Sequence, residues 1–146
     1  VPIIDPEEML PDRWKHLTPE QQKTLIRDIK YNWTLWARPN QVVDWTDNDW
    51  DILLVLAGRG FGKTRMGAEA VRQFCLANPG SRVAITAPTY GSARDVCFEG
   101  DSGLLEVSSP EEIDKAAGGK YNRSLGQLKY TNGSLCQWYS GGDPER

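Results

Sequence analysis

The chain has 146 residues and a mass of 16.4 kDa, the length of one domain and enough to bury a single core. Its 39% hydrophobic, 25% charged and 10% aromatic residues exclude disorder and collagen-like repeats, and the longest apolar run, residues 52–57, is too short to span a bilayer. Twenty acidic against seventeen basic residues give a formal charge of -3, which offers no global electrostatic footprint for nucleic acid.

The charge is unevenly spread. Residues 57–100 carry six basic and three acidic groups, whereas 1–56 carry six and ten and 101–146 carry five and seven. The middle third is where an anion sits most comfortably, although charges on a solvated helix face give the same sum. Cys75, Cys97 and Cys136 form no Cys-x-x-Cys pair and His16 is the only histidine, a pattern expected of a reduced, cytosolic chain without a zinc or disulfide framework. Val1 to Leu10 lacks the basic start and apolar core of a signal peptide, and the start at Val1 is read as that of a fragment.

In chain order, residues 1–17, with Pro2, Pro6 and Pro11, are expected to form an irregular leader. Thr18-Pro19-Glu20-Gln21 combines a capping residue, Pro at the first helical position and a Gln that can reach back, so a helix is expected from here. Leu25, Ile26, Ile29, Trp33 and Trp36 follow at helical spacing and read as a core-packing stripe. Pro39 ends this helix by disfavouring helical geometry in the residue before it. Residues 51–57 form a continuous apolar run expected of a strand buried on both faces of a parallel sheet. A second helix is expected from Lys63 to about Ala77, stopped by Asn78-Pro79-Gly80, and a second buried strand over Arg82–Ala87. Together these make a right-handed strand–helix–strand crossover. Ser92 to Glu99 is expected to be helical and Gly100 to Gly103 a turn. Leu128–Tyr130 and Leu135–Tyr139 flank Asn132-Gly133, the strongest hairpin signal in the chain.

Ala57-Gly58-Arg59-Gly60-Phe61-Gly62-Lys63-Thr64 carries the chemistry. A phosphate-binding loop needs small residues so that successive backbone N–H groups can turn onto the β and γ phosphates, and a helix starting there so that its dipole adds positive potential. Gly58, Gly60 and Gly62 meet the first need, Lys63 can reach the terminal phosphates, and the Thr64 hydroxyl is placed to hold Mg2+. The usual pattern has Gly where this chain has Ala57, so the turn is expected to take its unusual geometry at Gly58 instead. Arg59 can bend over the γ phosphate, point to a neighbouring subunit, or be an exposed loop arginine. Arg65 and Arg72 are expected to be solvated or paired with Glu69.

Residues 57–69, AGRGFGKTRMGAE, are similar to the ATPase motor of bacteriophage large terminase subunits. Ala87-Pro88-Thr89-Tyr90 with Ala93-Arg94-Asp95-Val96, then Glu99-Gly100 and Ser102-Gly103-Leu104-Leu105, looks like the segment after the second strand of these motors. Tyr139 to Arg146 looks like the lead-in to their Walker B strand. The resemblance covers about Arg38 to Arg146. It implies an α/β P-loop NTPase core of the ASCE type, with a parallel sheet, flanking helices and a β-hairpin near the C-terminus, truncated before Walker B. Residues 18–146 then form an incomplete ATPase domain, with the family's nuclease domain absent. The implied cofactors are ATP and Mg2+, held by Gly58, Arg59, Gly60, Phe61, Gly62, Lys63 and Thr64.

The resemblance further implies an adenine-recognising Gln upstream of the loop, for which Gln41 is the candidate. An amide can pair with the N7 and N6 edge of adenine, or it can simply cap its own backbone. Trp36 or Trp45 could stack on the base, although with six tryptophans in the chain core or surface packing is the better reading for either. Arg146 is a candidate for acting in trans on a neighbour's nucleotide. The implied partners are double-stranded DNA, a portal protein, a small terminase subunit and further copies in a homo-oligomeric ring, at the procapsid portal in the host cytoplasm.

Hydrolysis also needs an aspartate for Mg2+ and a glutamate for the attacking water, usually adjacent at the end of an apolar strand. No apolar run here ends in Asp-Glu: Asp143 and Glu145 follow Gly141-Gly142, and Glu106 follows only Leu104-Leu105. The chain alone is therefore expected to bind nucleotide weakly or not at all and not to turn over. A helicase-like P-loop ATPase and a non-catalytic nucleotide-binding or interaction module are the competing readings.

Overall fold

The computed structural model describes Trp14, residues 16–43 and residues 51–142. They fall into two units, Val1–Trp36 and Ala37–Arg146. Most of the expected leader, residues 1–13 and 15, lies outside the described residues.

In the first unit, α1 (Pro19–Lys30) starts at the expected capping box: Gln21 N donates to Thr18 Oγ1 at 3.3 Å and Thr18 N donates to Gln21 Oε1 at 2.9 Å. The helix ends six residues before Trp36. Tyr31 N–H closes its last turn on the Arg27 carbonyl, and after Asn32 a separate short helix, α2 (Trp33–Trp36), begins. Asn32 accepts from the Thr34 hydroxyl at 2.6 Å, the local side-chain bonding by which Asn favours helix ends over interiors. The expected packing stripe is corrected too. No residue of α1 is buried, Ile26 and Trp36 are exposed, and only Trp33 of the stripe is buried.

The second unit is α/β, built on a four-stranded mixed sheet in the order β1-β4-β3-β2, with β1 Arg82–Ala87, β2 Lys120–Asn122, β3 Gln127–Lys129 and β4 Leu135–Ser140. Only β1 and β4 run parallel, from Arg82 opposite Leu135 to Ala87 opposite Ser140, and the other two pairings are antiparallel. The parallel sheet expected from the sequence is thus corrected to a mixed one. The β3–β4 hairpin forms where Asn132-Gly133 places it, with Leu128 opposite Cys136 and Gly133 in the left-handed region at φ 88°.

Helix α3 (Lys63–Ala77) has the bounds expected and leaves through Asn78-Pro79-Gly80. Strand β1 also lies where expected, but its residues alternate between exposed and half-buried up to the buried Ala87, so it packs on one face rather than two. Tyr90–Ser92 (α4) runs directly into a π-helical turn, Ala93–Phe98, in which Glu99 N–H reaches back five residues to the Arg94 carbonyl. The short α5 (Leu104–Val107) follows the Gly100–Gly103 turn.

The largest departure concerns residues 52–57. They form no regular element and pair with no strand among the described residues, and Ile52, Leu54 and Leu56 are 84%, 74% and 85% exposed. The crossover therefore keeps α3 and β1 but lacks its first strand in the sheet. Apolar patterning encodes a demand for burial, whereas a strand exists only where a ladder partner lies beside it.

The core fills the space between α3, the π turn, α5 and the sheet with Cys75, Phe98, Leu104, Val107, Leu128, Tyr130, Cys136 and Trp138. Phe98 meets Trp138 edge to face at 4.6 Å between ring centroids. The Tyr130 hydroxyl lies 2.9 Å from Ser108 Oγ, so this buried phenol keeps a polar partner. All three cysteines are free, and no helix among the described residues is long and apolar enough to cross a membrane.

An ion network anchors α3. Glu69, 1% exposed, accepts from Arg65 Nε at 3.0 Å and lies 3.5 Å from Arg72 Nη1, while Arg72 Nε donates to Glu112 at 2.8 Å. Both arginines thus take the paired alternative. Burial pushes the Glu69 carboxyl above its ordinary range, partly offset by Arg65 and Arg72.

Leu128→Ala is predicted to cost about 2–5 kcal/mol and the exposed Leu54→Ser less than about 0.5 kcal/mol, measured by urea denaturation. Because the folded pKa of Glu69 exceeds its unfolded value, stability drains as pH rises from about 4 through the folded pKa. The stability of the unsubstituted protein relative to Glu69→Gln therefore falls as pH rises above the ordinary carboxylate range, and denaturation series below and above that range check this sign.

Candidate phosphate-binding site

The loop before α3 owes its shape to two glycines. Gly60 and Gly62 lie in the left-handed region at φ 80° and 87°, and Gly62 is the residue from which α3 starts. Gly58 does not have a positive φ, so the unusual geometry expected there falls two and four residues later. No non-glycine residue among those described has a positive φ, which is how Ala57 is accommodated.

The loop opens onto a cavity of about 470 Å3. Arg59, Gly60, Phe61, Gly62, Lys63, Thr64 and Arg65 line one side, and Asp95, Val96, Gly100, Asp101 and Ser102 line the other. Six expected site residues, Arg59 to Thr64, are thus brought together on one wall. Lys63 Nζ donates to the carbonyls of Ala57 at 2.7 Å and Gly58 at 2.9 Å, so the ammonium is held against the start of the loop. Arg59 is exposed and Thr64 half-buried.

The opposite wall carries carboxylates to which the sequence reading gave no site role. Asp95 is paired with Arg94, whose guanidinium holds the carboxyl below its usual range. Arg65 is committed to Glu69. Arg59 and Lys63 are therefore the cations on this wall that no carboxylate among the described contacts engages. Asp95 was legible only as part of the stretch after β1 and Asp101 not at all, since nothing in their spacing announces that the π turn and the turn after it bring them to the cavity.

Gln41 sits elsewhere. It closes a 3-10 turn, Pro39–Gln41, is 6% exposed, and does not line the cavity. Its Oε1 accepts from Arg38 N at 3.0 Å, the local cap that was one alternative for it, and its Nε2 donates to the Phe61 carbonyl at 2.6 Å. Both ends of the amide are thus engaged, and contact with adenine would require an exchange of these partners. Trp36 lies in the first unit, its indole donating to the Ile29 carbonyl at 2.7 Å. Trp45, Asp143, Glu145 and Arg146 lie outside the described residues.

No group of three or more His, Cys, Asp or Glu among the described residues is placed to hold a metal ion. Thr64, Asp95, Asp101 and Ser102 are the side-chain oxygen donors that line the cavity, oxygen being the ligand type of a hard cation such as Mg2+, and Asp95 is already paired with Arg94. Comparison with protein-family models, with curated proteins and with solved structures yields no match.

Gly62→Ala is predicted to distort the loop. The added Cβ would fall 2.9 Å from Gln41 Nε2 at a φ that alanine rarely adopts. Its cost is expected to be about 1–3 kcal/mol, read as a lowered urea midpoint against a raised one for Gly67→Ala, inside α3, where a Cβ meets nothing within 4 Å and alanine favours the helix.

Proposed function

We propose that this chain binds the triphosphate of ATP, and that it is the nucleotide-binding part of a motor of the large-terminase kind, which couples ATP hydrolysis to moving double-stranded DNA into a procapsid. The observation that carries the reading is the loop itself. Two left-handed glycines deliver the chain into a 15-residue helix whose first residue is Lys63, beside a cavity of about 470 Å3. The loop N–H groups and the helix dipole suit phosphate oxygens, and Lys63 exchanges its two carbonyl partners for the β and γ oxygens. Thr64 would hold Mg2+, which supplies charge neutralisation at those oxygens. The portal, small-subunit and ring partners, and the site at the procapsid in the host cytoplasm, belong to this proposal through the sequence resemblance alone.

One observation favours a second reading, nucleotide binding without turnover. Among the described residues no strand ends in a carboxylate, since the four end at Asn122, Lys129, Ala87 and Ser140, and Glu106 lies on α5. Water activation by such a group is therefore not supplied by these residues.

Calorimetric titration with Mg-ATP tests the proposal. Weak but measurable binding is expected in the unsubstituted protein, in which no apolar run ends in Asp-Glu, and at least about tenfold weaker binding in Lys63→Ala, a loss of about 1.4 kcal/mol. Equal affinities, or no binding at all, would overturn it.

A further inference from the structure

The strongest coupling between the loop and the rest of its unit is made by two residues behind it. Phe61 O accepts from Gln41 Nε2 at 2.6 Å and from Arg38 Nη2 at 2.5 Å, which uses both lone pairs of that carbonyl. The Arg38 guanidinium also stands over the Phe61 ring, 5.4 Å from its centroid. The two donors are held in register by their own turn: Gln41 N donates to the Arg38 carbonyl at 2.8 Å, and Arg38 N donates back to Gln41 Oε1 at 3.0 Å. Neither Arg38 nor Gln41 lines the cavity on which the loop opens, whereas Phe61 and Gly62 do.

We infer that Arg38 and Gln41 are positioning residues, a brace that fixes the Phe61–Gly62 peptide so that the loop is set for phosphate before a ligand arrives, and that Gln41 acts on the phosphates through the loop rather than on the base. The inference rests on the proposed phosphate-binding reading. A trans peptide is planar, so its C=O and N–H point in opposite directions. Two donors on the Phe61 carbonyl therefore direct the Gly62 N–H away from the brace. Without them this peptide turns about ψ of Phe61 and φ of Gly62, and glycine leaves the second of these wide open. Ordering it on binding would be charged against affinity.

The glycine at 62 carries a second constraint from the same pair. A Cβ there would meet Gln41 Nε2 at 2.9 Å and Arg38 Nη2 at 4.0 Å, so the brace also requires a residue without a side chain at the helix start.

The test uses Gln41→Glu, Arg38→Ala and Arg38→Lys, with ATP, GTP and inorganic tripolyphosphate as probes. Glu at 41 keeps the acceptor for Arg38 N but loses the donor to Phe61. A brace predicts that Gln41→Glu and Arg38→Ala weaken all three ligands by a similar factor, about tenfold, with partial recovery in Arg38→Lys. Loss of ATP binding alone, with tripolyphosphate unchanged, assigns Gln41 to the base and overturns the inference. So does unchanged affinity for all three.

Hydrogen exchange supplies a readout without ligand. The amides of residues 60–63 are expected to exchange faster in Gln41→Glu and Arg38→Ala, while those of β4 keep their protection. Unchanged loop exchange overturns the brace, and loss of β4 protection marks a general folding defect, in which case Arg38→Lys decides. If no probe binds the unsubstituted protein, or Lys63→Ala binds as well as it does, the phosphate-binding reading fails while the exchange result still decides the brace.

Discussion

The docking of α3 on the sheet is the constraint on which the rest of the second unit depends. One end of this helix is the phosphate-type loop and the other is core. At the core end Cys75 and Cys136 are fully buried with their sulfurs 3.5 Å apart, and the single Ser134 hydroxyl proton lies between the carbonyls of Cys75 and Asn78, 3.1 and 3.0 Å from Ser134 Oγ. Asn132 Nδ2 adds a bond to the Cys75 carbonyl at 2.8 Å. The turn of the β3–β4 hairpin thus caps the carbonyls that the last turn of α3 leaves without helical partners. A shift of the hairpin would be felt along the helix axis at Lys63.

Midway along the helix, Glu69 and Arg72 hold α3 to Glu112, whose Oε2 also accepts from Ser109 N at 2.9 Å. Buried charges are tolerated when paired and further hydrogen-bonded, and removing one partner is costly because the remainder stays desolvated. The network therefore restrains rotation of α3 more than it adds stability. Rotation matters here, because the direction of the first helical turn sets where Lys63 and Thr64 face. The helix is held by the hairpin at its end, by ions in its middle and by Arg38 and Gln41 at its start.

Local signals made much of this legible. The bounds of α3 follow from Gly62-Lys63-Thr64 at one end and Asn78-Pro79-Gly80 at the other, and the hairpin follows from Asn132-Gly133, because caps and turns are decided by neighbouring residues. Patterns that depend on distant partners were misleading. The run at 52–57 has the composition of a central strand, yet among the described residues nothing pairs with it. The apolar stripe from Leu25 to Trp36 has helical spacing, yet it is divided between α1 and α2 and only Trp33 is buried. Within the site, the loop is legible by its glycines and Lys63, whereas the 2.6 Å contact of Gln41 Nε2 with the Phe61 carbonyl, which stands beside the adenine role implied by resemblance, has no local signal. A contact across a sequence separation of twenty, and the π turn that brings Asp95 to the cavity, have no signature in spacing.

The central claim is that the loop before α3 receives phosphate through its own backbone. Amide chemical shifts recorded by NMR during titration with inorganic tripolyphosphate test it most directly, since they report each loop N–H separately. The account predicts that the largest shifts fall on Gly60, Gly62, Lys63 and Thr64, with the β2–β3 hairpin unmoved. Shifts confined to exposed lysines and arginines elsewhere, with the loop amides unchanged, would contradict it.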